Sequence, residues 1–343
     1  MTRAVAALAA LAVAGVLATA ACSSGSGEVF VSGTPSATAR ASGPAAGSTS
    51  ARSPAGPLQA ERIDVRYVED ALPAHTLDLF LPDGGAKAPY PLVIFIHGGG
   101  WRLGDKSALS VGSDLQLEKY KALLLDNGYA AASINYRLSG EATFPANIHD
   151  VKAAVRYLRA NAADLGVDPN RFAVVGESAG AHLALLLGMS SGDAALEGTL
   201  GTTGVSSAVQ TVVSYYGFSD LRVRTQQRAA QGCGGSENGQ NFTSEGVMLG
   251  AEPTTDKGRA LATQASPITY VDPADPPTLL FHGTQDCTAP TAQSTTMEAA
   301  LKAAGVPTEL RLIDAGHAQA EFFVNPDLQQ QLLRFLGAHL RAR

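Results

Sequence analysis

Cysteine, tryptophan and charged side chains are scarce in this chain of 343 residues. It has three cysteines and one tryptophan, and Asp, Glu, Lys and Arg make up 16% of it. Acidic residues outnumber basic ones, which gives a formal net charge of −6. Nucleic acids and anionic membrane surfaces are bound by basic faces, so this balance argues against both as partners. The sequence also has no internal repeat and no cluster of metal-ligating residues, and we predict no metal site.

Residues 1–21 are typical of an export signal. Arg3 precedes an apolar run over 4–18, and small residues lead from there to Cys22. A cysteine in this position resembles the bacterial lipobox, in which the cysteine is diacylated and becomes the mature N-terminus. We therefore expect an exported protein with Cys22 lipidated, anchored to the outer face of the bacterial cell membrane and touching the membrane only there. Secretion without a lipid and a retained membrane anchor are the alternatives.

Residues 22–57 are rich in Ser, Gly, Ala, Pro and Thr and have almost no large apolar side chain. This composition buries too little surface to offset the entropy of ordering, so we expect a disordered tether. The folded domain is predicted over 58–343. Within it, the stretch at about 220–265 breaks the regular pattern with Gly, Gln, Ser and Thr, and we predict a cap-like insertion there.

Strand-like and helix-like segments alternate along the domain. The segments 63–68 and 76–80 alternate apolar and polar residues, which predicts an antiparallel pair with one face in water. The segment 91–96 is apolar throughout, as in a parallel strand covered on both faces. Further strands are predicted at 129–135, 171–175, 210–216, 277–282 and 308–313, and helices at 115–127, 149–165 and 326–340. The sequence therefore predicts an α/β fold with a doubly wound, mostly parallel sheet and helices on both faces.

A Gly-x-Ser-x-Gly pattern, residues 176–180, lies between a strand-like run and an apolar helix-like segment. This context predicts a nucleophile elbow with Ser178 exposed above the sheet. Gly176 and Gly180 leave room for the tight turn that such an elbow requires. The neighbouring Glu177 is expected to make a structural bond.

A serine nucleophile needs a base and a carboxylate that orients the base. His317 follows the last predicted strand and is the candidate base. Asp286 follows the strand before it and is the candidate acid, since the order Ser178, Asp286, His317 is the order of the α/β-hydrolase fold. Asp314 is the competing carboxylate.

The sequence His97-Gly98-Gly99-Gly100-Trp101 follows an apolar strand. Consecutive glycines leave backbone N–H groups unobstructed, so we assign an oxyanion hole to the amides of Gly99, Gly100 and Ala179. A phosphate-binding glycine loop is the alternative, but the sequence patterns of such loops are absent here. Trp101 is expected to line the substrate pocket or to pack in the core.

Apart from Cys22, the chain has two cysteines, Cys233 and Cys287. Two thiols in an exported protein favour a disulfide. Because Cys287 directly follows Asp286, this bridge would join the predicted insertion to the acid's loop.

Taken together, the motifs of this domain resemble the α/β-hydrolase family. The chain is similar to carboxylesterases related to hormone-sensitive lipase and to the feruloyl- and acetyl-esterase-like group. The resemblance implies a Ser-His-Asp esterase without a cofactor, with Ser178, Asp286 and His317 as the catalytic residues. It also implies structural roles for residues in the remaining motifs, namely Asn135, Tyr136, Arg137, His149, Asp150 and His182.

We therefore predict a serine hydrolase that cleaves carboxylic esters, with a short acyl, acetyl or feruloyl group on a small molecule or a polysaccharide. Two alternatives stay open: an arylformamidase or peptidase that cleaves amides on the same scaffold, and a non-catalytic binding protein. The sequence carries no prediction of oligomeric state.

Overall fold

The computed structural model describes residues 60–83, 87–109, 114–234 and 243–340. The predicted export signal 1–21, the lipidation site Cys22 and the tether 22–57 lie outside the described residues. Within the described ranges, no helix combines the length and the apolar composition that crossing a membrane requires.

The described residues form one sheet of eight strands in the order β1-β2-β4-β3-β5-β6-β7-β8. Strand β2 runs antiparallel to both β1 and β4, and all other neighbours are parallel. The strands are β1 (Glu61–Arg66), β2 (Thr76–Phe80), β3 (Tyr90–Ile96), β4 (Ala130–Ile134), β5 (Val167–Glu177), β6 (Thr211–Tyr215), β7 (Thr278–Gly283) and β8 (Thr308–Ile313). The predicted fold class, a mostly parallel sheet with antiparallel strands at its N-terminal end, is confirmed.

Helices pack on both faces of this sheet. Short 3₁₀ turns occur at Pro73–His75, Lys106–Leu109 and Pro267–Tyr270. The α-helices are α1 (Leu115–Asp126), α2 (Ala146–Ala160), α3 (Ala162–Leu165), α4 (Ala179–Met189), α5 (Ala194–Glu197), α6 (Arg224–Ala230), α7 (Ser244–Leu249), α8 (Asp256–Ala265), α9 (Ala292–Ala303), α10 (Glu321–Val324) and α11 (Pro326–Leu340). The helix α9 was not predicted, and α6, α7 and α8 fall in the segment predicted as an insertion.

The two helical layers explain why β3 is apolar along its whole length. Ile94 lies in a buried cluster with side chains of α2 and α4, on one face of the sheet. Phe95 points the opposite way, into a cluster with side chains of α1 and α11. Because successive residues of a strand face opposite sides, a strand covered on both faces needs an apolar residue at every position.

The expected wet face of the β1 and β2 pair is wrong for β2. Every residue of β2 is buried, because β2 lies between β1 and β4 and is covered on both faces. Its polar residue Asp78 is compensated inside the protein. The Asp78 carboxylate lies 2.9 Å from Lys106 Nζ and accepts the Asp64 N–H at 2.9 Å. The polar positions of the alternating pattern therefore mark a buried ion pair instead of a solvent-exposed face.

Candidate active site

The turn between β5 and α4 holds Ser178 in a conformation that few side chains adopt. Its φ is 51° and its ψ is −118°, and its N–H donates to the carbonyl of Tyr215 at 3.0 Å. A Cβ on Gly176 would lie 2.3 Å from the Gly180 carbonyl oxygen, and a Cβ on Gly180 would lie 2.1 Å from that of Ile96. Both glycines are therefore needed for the backbone to pass this close, as the sequence pattern predicted.

Ser178, His317 and Asp286 form one hydrogen-bonded chain. Ser178 Oγ lies 2.9 Å from His317 Nε2, and His317 Nδ1 lies 2.6 Å from Asp286 Oδ2. A carboxylate accepts only, so Nδ1 carries the proton and Nε2 is left to accept from the serine hydroxyl. The structure thus brings together the three residues predicted as nucleophile, base and acid, in the order their chemistry requires.

The Asp286 carboxylate is fully buried and held by its own loop. Its Oδ1 accepts the N–H groups of Thr288 and Ala289, both at 2.8 Å. These two bonds leave Oδ2 directed at His317, so the backbone of the loop sets the orientation of the acid.

The competing carboxylate, Asp314, is exposed and accepts a hydrogen bond from Gln285 Nε2. To act as the acid, Asp314 would have to accept the hydrogen bond from His317 Nδ1. In the structure Asp286 accepts that bond instead. The reason is topological, since Asp286 follows β7 and projects under the His317 loop from the neighbouring strand.

The glycine-rich loop after β3 lines the same cavity as Ser178. Gly99 has a φ of 100°, and a Cβ there would lie 2.2 Å from the Leu103 carbonyl oxygen. Among the described residues, the N–H groups of Gly99 and Gly100 have no hydrogen-bond acceptor. Ala179 is the first residue of α4, so its N–H has no partner within the helix. The three amides assigned to an oxyanion hole are thus available as donors.

Trp101 both packs in the core and lines the cavity. Its side chain is 1% exposed, and its Nε1–H donates to His182 Nδ1 at 3.2 Å. His182 in turn donates Nε2–H to the Ala265 carbonyl at 2.7 Å. Burial lowers the pKa of His182 to about 4, so the ring is neutral and can accept from the indole. The two roles expected of Trp101 therefore coexist.

Glu177 makes structural bonds, as expected. Its carboxylate accepts the Gly98 N–H at 3.1 Å and the Tyr216 hydroxyl at 2.8 Å. Burial raises the pKa of Tyr216 well above its usual value, which keeps the hydroxyl protonated as a donor. The Tyr216 ring lies against the His317 imidazole, with 4.9 Å between ring centroids. Glu177 therefore links the glycine loop to Tyr216, the residue that packs against His317.

The cavity above Ser178 has a volume of about 320 Å³. Its lining includes Gly99, Gly100, Trp101, Ser178 and His317, all of which were predicted as site residues. Glu177 also lines the cavity. Six other lining residues were not predicted from the sequence, namely Phe218, Arg224, Ser244, Glu245, Thr288 and Ala318. Several of these come from α6 and α7, so the predicted insertion contributes a wall of the cavity. Its role as a cap stays a prediction.

The wall from α6 and α7 contains a buried ion pair. Arg224 Nη1 lies 2.9 and 2.7 Å from the two carboxylate oxygens of Glu245, and both side chains are almost fully buried. The Arg224 guanidinium also lies over the Phe218 ring at 5.3 Å. Two opposite charges 21 positions apart have no recognisable spacing, so this ion pair could not be predicted from the sequence.

The predicted disulfide between Cys233 and Cys287 is present, with 5.4 Å between the Cα atoms. No group of three or more His, Cys, Asp or Glu residues that could hold a metal ion is found in the described part of the chain.

The residues assigned structural roles make contacts within the fold. Arg137 forms an ion pair with the buried Asp150 at 2.6 Å, and the His149 ring bonds to the Ala195 carbonyl at 2.9 Å. None of the six lines the cavity described above.

A family model called BD-FAE matches residues 77–301, which is about two thirds of the chain. The chain belongs to the BD-FAE family. The matched range includes the glycine loop, the nucleophile elbow and Asp286, and it ends before His317. The sequence-based resemblance to α/β-hydrolase esterases is thereby confirmed.

Relatives of this family member carry esterase names. Esterase LipQ of Mycobacterium tuberculosis is 34% identical over 66% of this chain and 49% of its own length. A truncated carbohydrate esterase from gut microbiota is 30% identical, with a TM-score of 0.71 over 82% of this chain and 96% of that one. The bifunctional GH43-CE protein of Bacteroides eggerthii is 32% identical, also with a TM-score of 0.71, over 82% of this chain and 38% of its own. The chain spans about half the length of the curated relatives it matches.

Proposed function

We propose that this protein is a serine carboxylesterase that works through an acyl-enzyme on Ser178. The observation that carries the proposal is the hydrogen-bonded chain from Ser178 Oγ through His317 to Asp286. In the first step His317 Nε2 takes the hydroxyl proton as Ser178 Oγ attacks the ester carbonyl. The leaving alkoxide then receives that proton from the imidazolium, and an acyl-serine ester remains.

The second half of the reaction uses the same groups with water. His317 Nε2 removes a proton from a water molecule, and the resulting nucleophile attacks the acyl carbonyl. Collapse of this intermediate breaks the bond to Ser178 Oγ, which regains a proton from His317. Asp286 accepts the Nδ1–H bond throughout and stabilises the imidazolium that forms in each half-reaction.

The negative charge on the carbonyl oxygen needs fixed donors. The amides of Gly99, Gly100 and Ala179 supply them, because they lie beside Ser178 and are free of partners within the described residues. Backbone donors that are held in place before the reaction stabilise the transition state without reorganising.

The proposed substrates are small-molecule or polysaccharide-linked esters with a short acyl, acetyl or feruloyl group. A cavity of about 320 Å³ suits a short acyl chain. The similarity to proteins described as carbohydrate esterases supports the same choice.

We also propose that the enzyme is exported and held at the outer face of the membrane by a lipid on Cys22, with plain secretion as the alternative. The support is the order of residues in 1–22. Metabolic labelling with an alkyne fatty acid tests this: the wild type should incorporate the label and Cys22→Ser should not. Wild-type protein that does not incorporate the alkyne fatty acid would contradict the lipid anchor.

The activity is tested by measuring hydrolysis of p-nitrophenyl esters from acetate to palmitate, and of methyl ferulate, by the wild type and by Ser178→Ala. We expect the highest rate on short chains and a loss of about 10⁴-fold or more in kcat with Ser178→Ala. Ser191→Ala, an exposed serine shortly after α4, is the matched control and should keep full activity.

The same assay separates the alternatives. Hydrolysis of formanilides or peptide anilides without hydrolysis of esters would replace the esterase by an amide hydrolase. If the wild type binds an ester but does not hydrolyse it, the result would favour the non-catalytic binding protein.

A further inference from the structure

Three consecutive backbone carbonyls in the loop that carries Asp286 accept hydrogen bonds from one short segment, α6 and the residue that follows it. The donors are side chains, and each reaches a different carbonyl. In chain order, the acceptor and donor pairs are Asp286 with Gln231 Nε2 at 2.8 Å, Cys287 with Arg228 Nη1, and Thr288 with Arg224 Nε and Nη2 at 3.0 and 2.7 Å. The outer side of the acid's loop is therefore covered by α6.

Gln231 holds both ends of this loop. Its amide nitrogen donates to the Asp286 carbonyl, and its amide oxygen accepts the Thr291 N–H at 2.9 Å. Two residues further on, Cys233 is joined covalently to Cys287. Gln231 and the disulfide thus tie the loop to the C-terminal end of α6 by different means.

The inner side of the same loop faces the carboxylate. The N–H groups of Thr288 and Ala289 both donate to Asp286 Oδ1. Because the carbonyls bond outward to α6 while the N–H groups bond inward, the loop is fixed between α6 and its own acid. A shift of the loop would carry Oδ2 away from His317 Nδ1, which it now meets at 2.6 Å.

The sequence spacing agrees with this role. Arg224, Arg228 and Gln231 are separated by four and three positions, which places them on one face of a helix. On the same helix, Thr225 and Gln226 are exposed. One face of this segment therefore bonds to the loop of Asp286, and the other face is exposed to solvent.

We propose that α6, with Gln231 and the disulfide at its end, is the positioning element of Asp286, and that Gln231 is a positioning residue for catalysis. The proposal rests on the proposed function, in which Asp286 orients His317. It adds that the orientation is imposed from outside the sheet, by a segment that also contributes Arg224 to the cavity wall. Small displacements of a catalytic group cost up to about 100-fold in rate.

The first test compares Gln231→Leu with the matched control Gln226→Leu, which changes the same residue type at an exposed site of the same helix. We expect kcat to fall about 10- to 100-fold for Gln231→Leu with KM nearly unchanged, and no change for the control. Gln231→Glu keeps the acceptor for Thr291 but places a carboxylate oxygen, which only accepts, against the Asp286 carbonyl, so it should lower kcat at least as far as Gln231→Leu. The double variant Cys233→Ser, Cys287→Ser should lower kcat in the same way.

The second readout is independent of ester turnover. The low-field proton resonance of the His317 Nδ1–H···Asp286 bond in ¹H NMR should shift or broaden in Gln231→Leu and stay in place in Gln226→Leu. A wild-type resonance and wild-type kcat in Gln231→Leu would overturn the proposal. If the wild type hydrolysed no ester, the proposed function would fail while this resonance would still decide whether Gln231 positions the acid.

Discussion

The two ends of the proposed catalytic chain, Ser178 and Asp286, are built differently. Ser178 is positioned by backbone alone, in a turn where glycines allow main-chain atoms to approach and where the serine N–H bonds to a neighbouring strand. Asp286 is positioned by a loop whose carbonyls are held by side chains and a disulfide from a separate segment, α6. The nucleophile therefore depends on the sheet, and the acid depends on the insertion.

This difference separates two kinds of sequence signal. A turn that only glycine permits leaves glycines at fixed offsets, so the elbow is visible as a short motif. A loop held from outside leaves no local pattern, because its partners lie 54 to 64 positions away along the chain. The predictions that follow test the two ends separately.

A large effect on rate is expected at the acid. Asp286→Asn should lower kcat about 10⁴-fold, because an amide in place of the carboxylate favours the wrong tautomer of His317. Asp314→Asn is the control and should leave ester hydrolysis unchanged, since Asp314 is exposed and bonded to Gln285. Steady-state kinetics on p-nitrophenyl acetate measures both. A large loss in Asp314→Asn with an active Asp286→Asn would reverse the assignment of the acid.

At the nucleophile end, the expected effect is on stability as well as on rate. Gly180→Ala places a Cβ 2.1 Å from the Ile96 carbonyl oxygen, so the backbone of β3 or α4 must move. We expect the free energy of unfolding to fall by about 3 kcal/mol or more, measured by urea denaturation. Gly140→Ala meets no atom within 4 Å and should unfold like the wild type. Equal midpoints for the two variants would show that the elbow tolerates a side chain at Gly180.

A smaller effect, confined to acidic pH, is expected from His182 on α4. Its pKa is about 4 in the folded state and about 6.5 in an unfolded chain, so the unfolded state takes up the proton first as the pH falls. The free energy of unfolding should therefore decrease by about 3 kcal/mol between pH 6.5 and pH 4 from this group alone. His182→Gln should have a shallower dependence over that range, measured by urea denaturation at a series of pH values. Parallel curves would contradict a buried neutral His182.

The positions of the strands along the chain and the three predicted catalytic residues were accessible from the sequence because each follows from a local pattern. Continuous apolar runs identify the central parallel strands, and polar residues just beyond their ends identify Ser178, Asp286 and His317. The wet face predicted for β2 was wrong because an alternating pattern does not distinguish water from a buried partner such as Lys106. That partner comes from a loop between β3 and β4.

The cavity wall was not accessible for a related reason. Arg224 and Glu245 are charged residues in a stretch poor in apolar side chains, where charges are ordinarily solvated. Both side chains are removed from water only in the folded protein, where they pair with each other, and no short-range signal records that pairing. Thr288 and Ala318 reach the cavity through backbone geometry, which composition does not encode.

The buried Arg224 and Glu245 pair also constrains how the proposed specificity of this protein can evolve. Replacing one partner to widen the cavity leaves the other charge buried alone, at a cost of about 3 to 5 kcal/mol. Arg224 is also bonded to the loop of the acid, so the same substitution would slow the chemistry. Variants with new acyl preferences should therefore require paired changes at 224 and 245. In a directed-evolution library, single substitutions at either position should yield destabilised and less active variants.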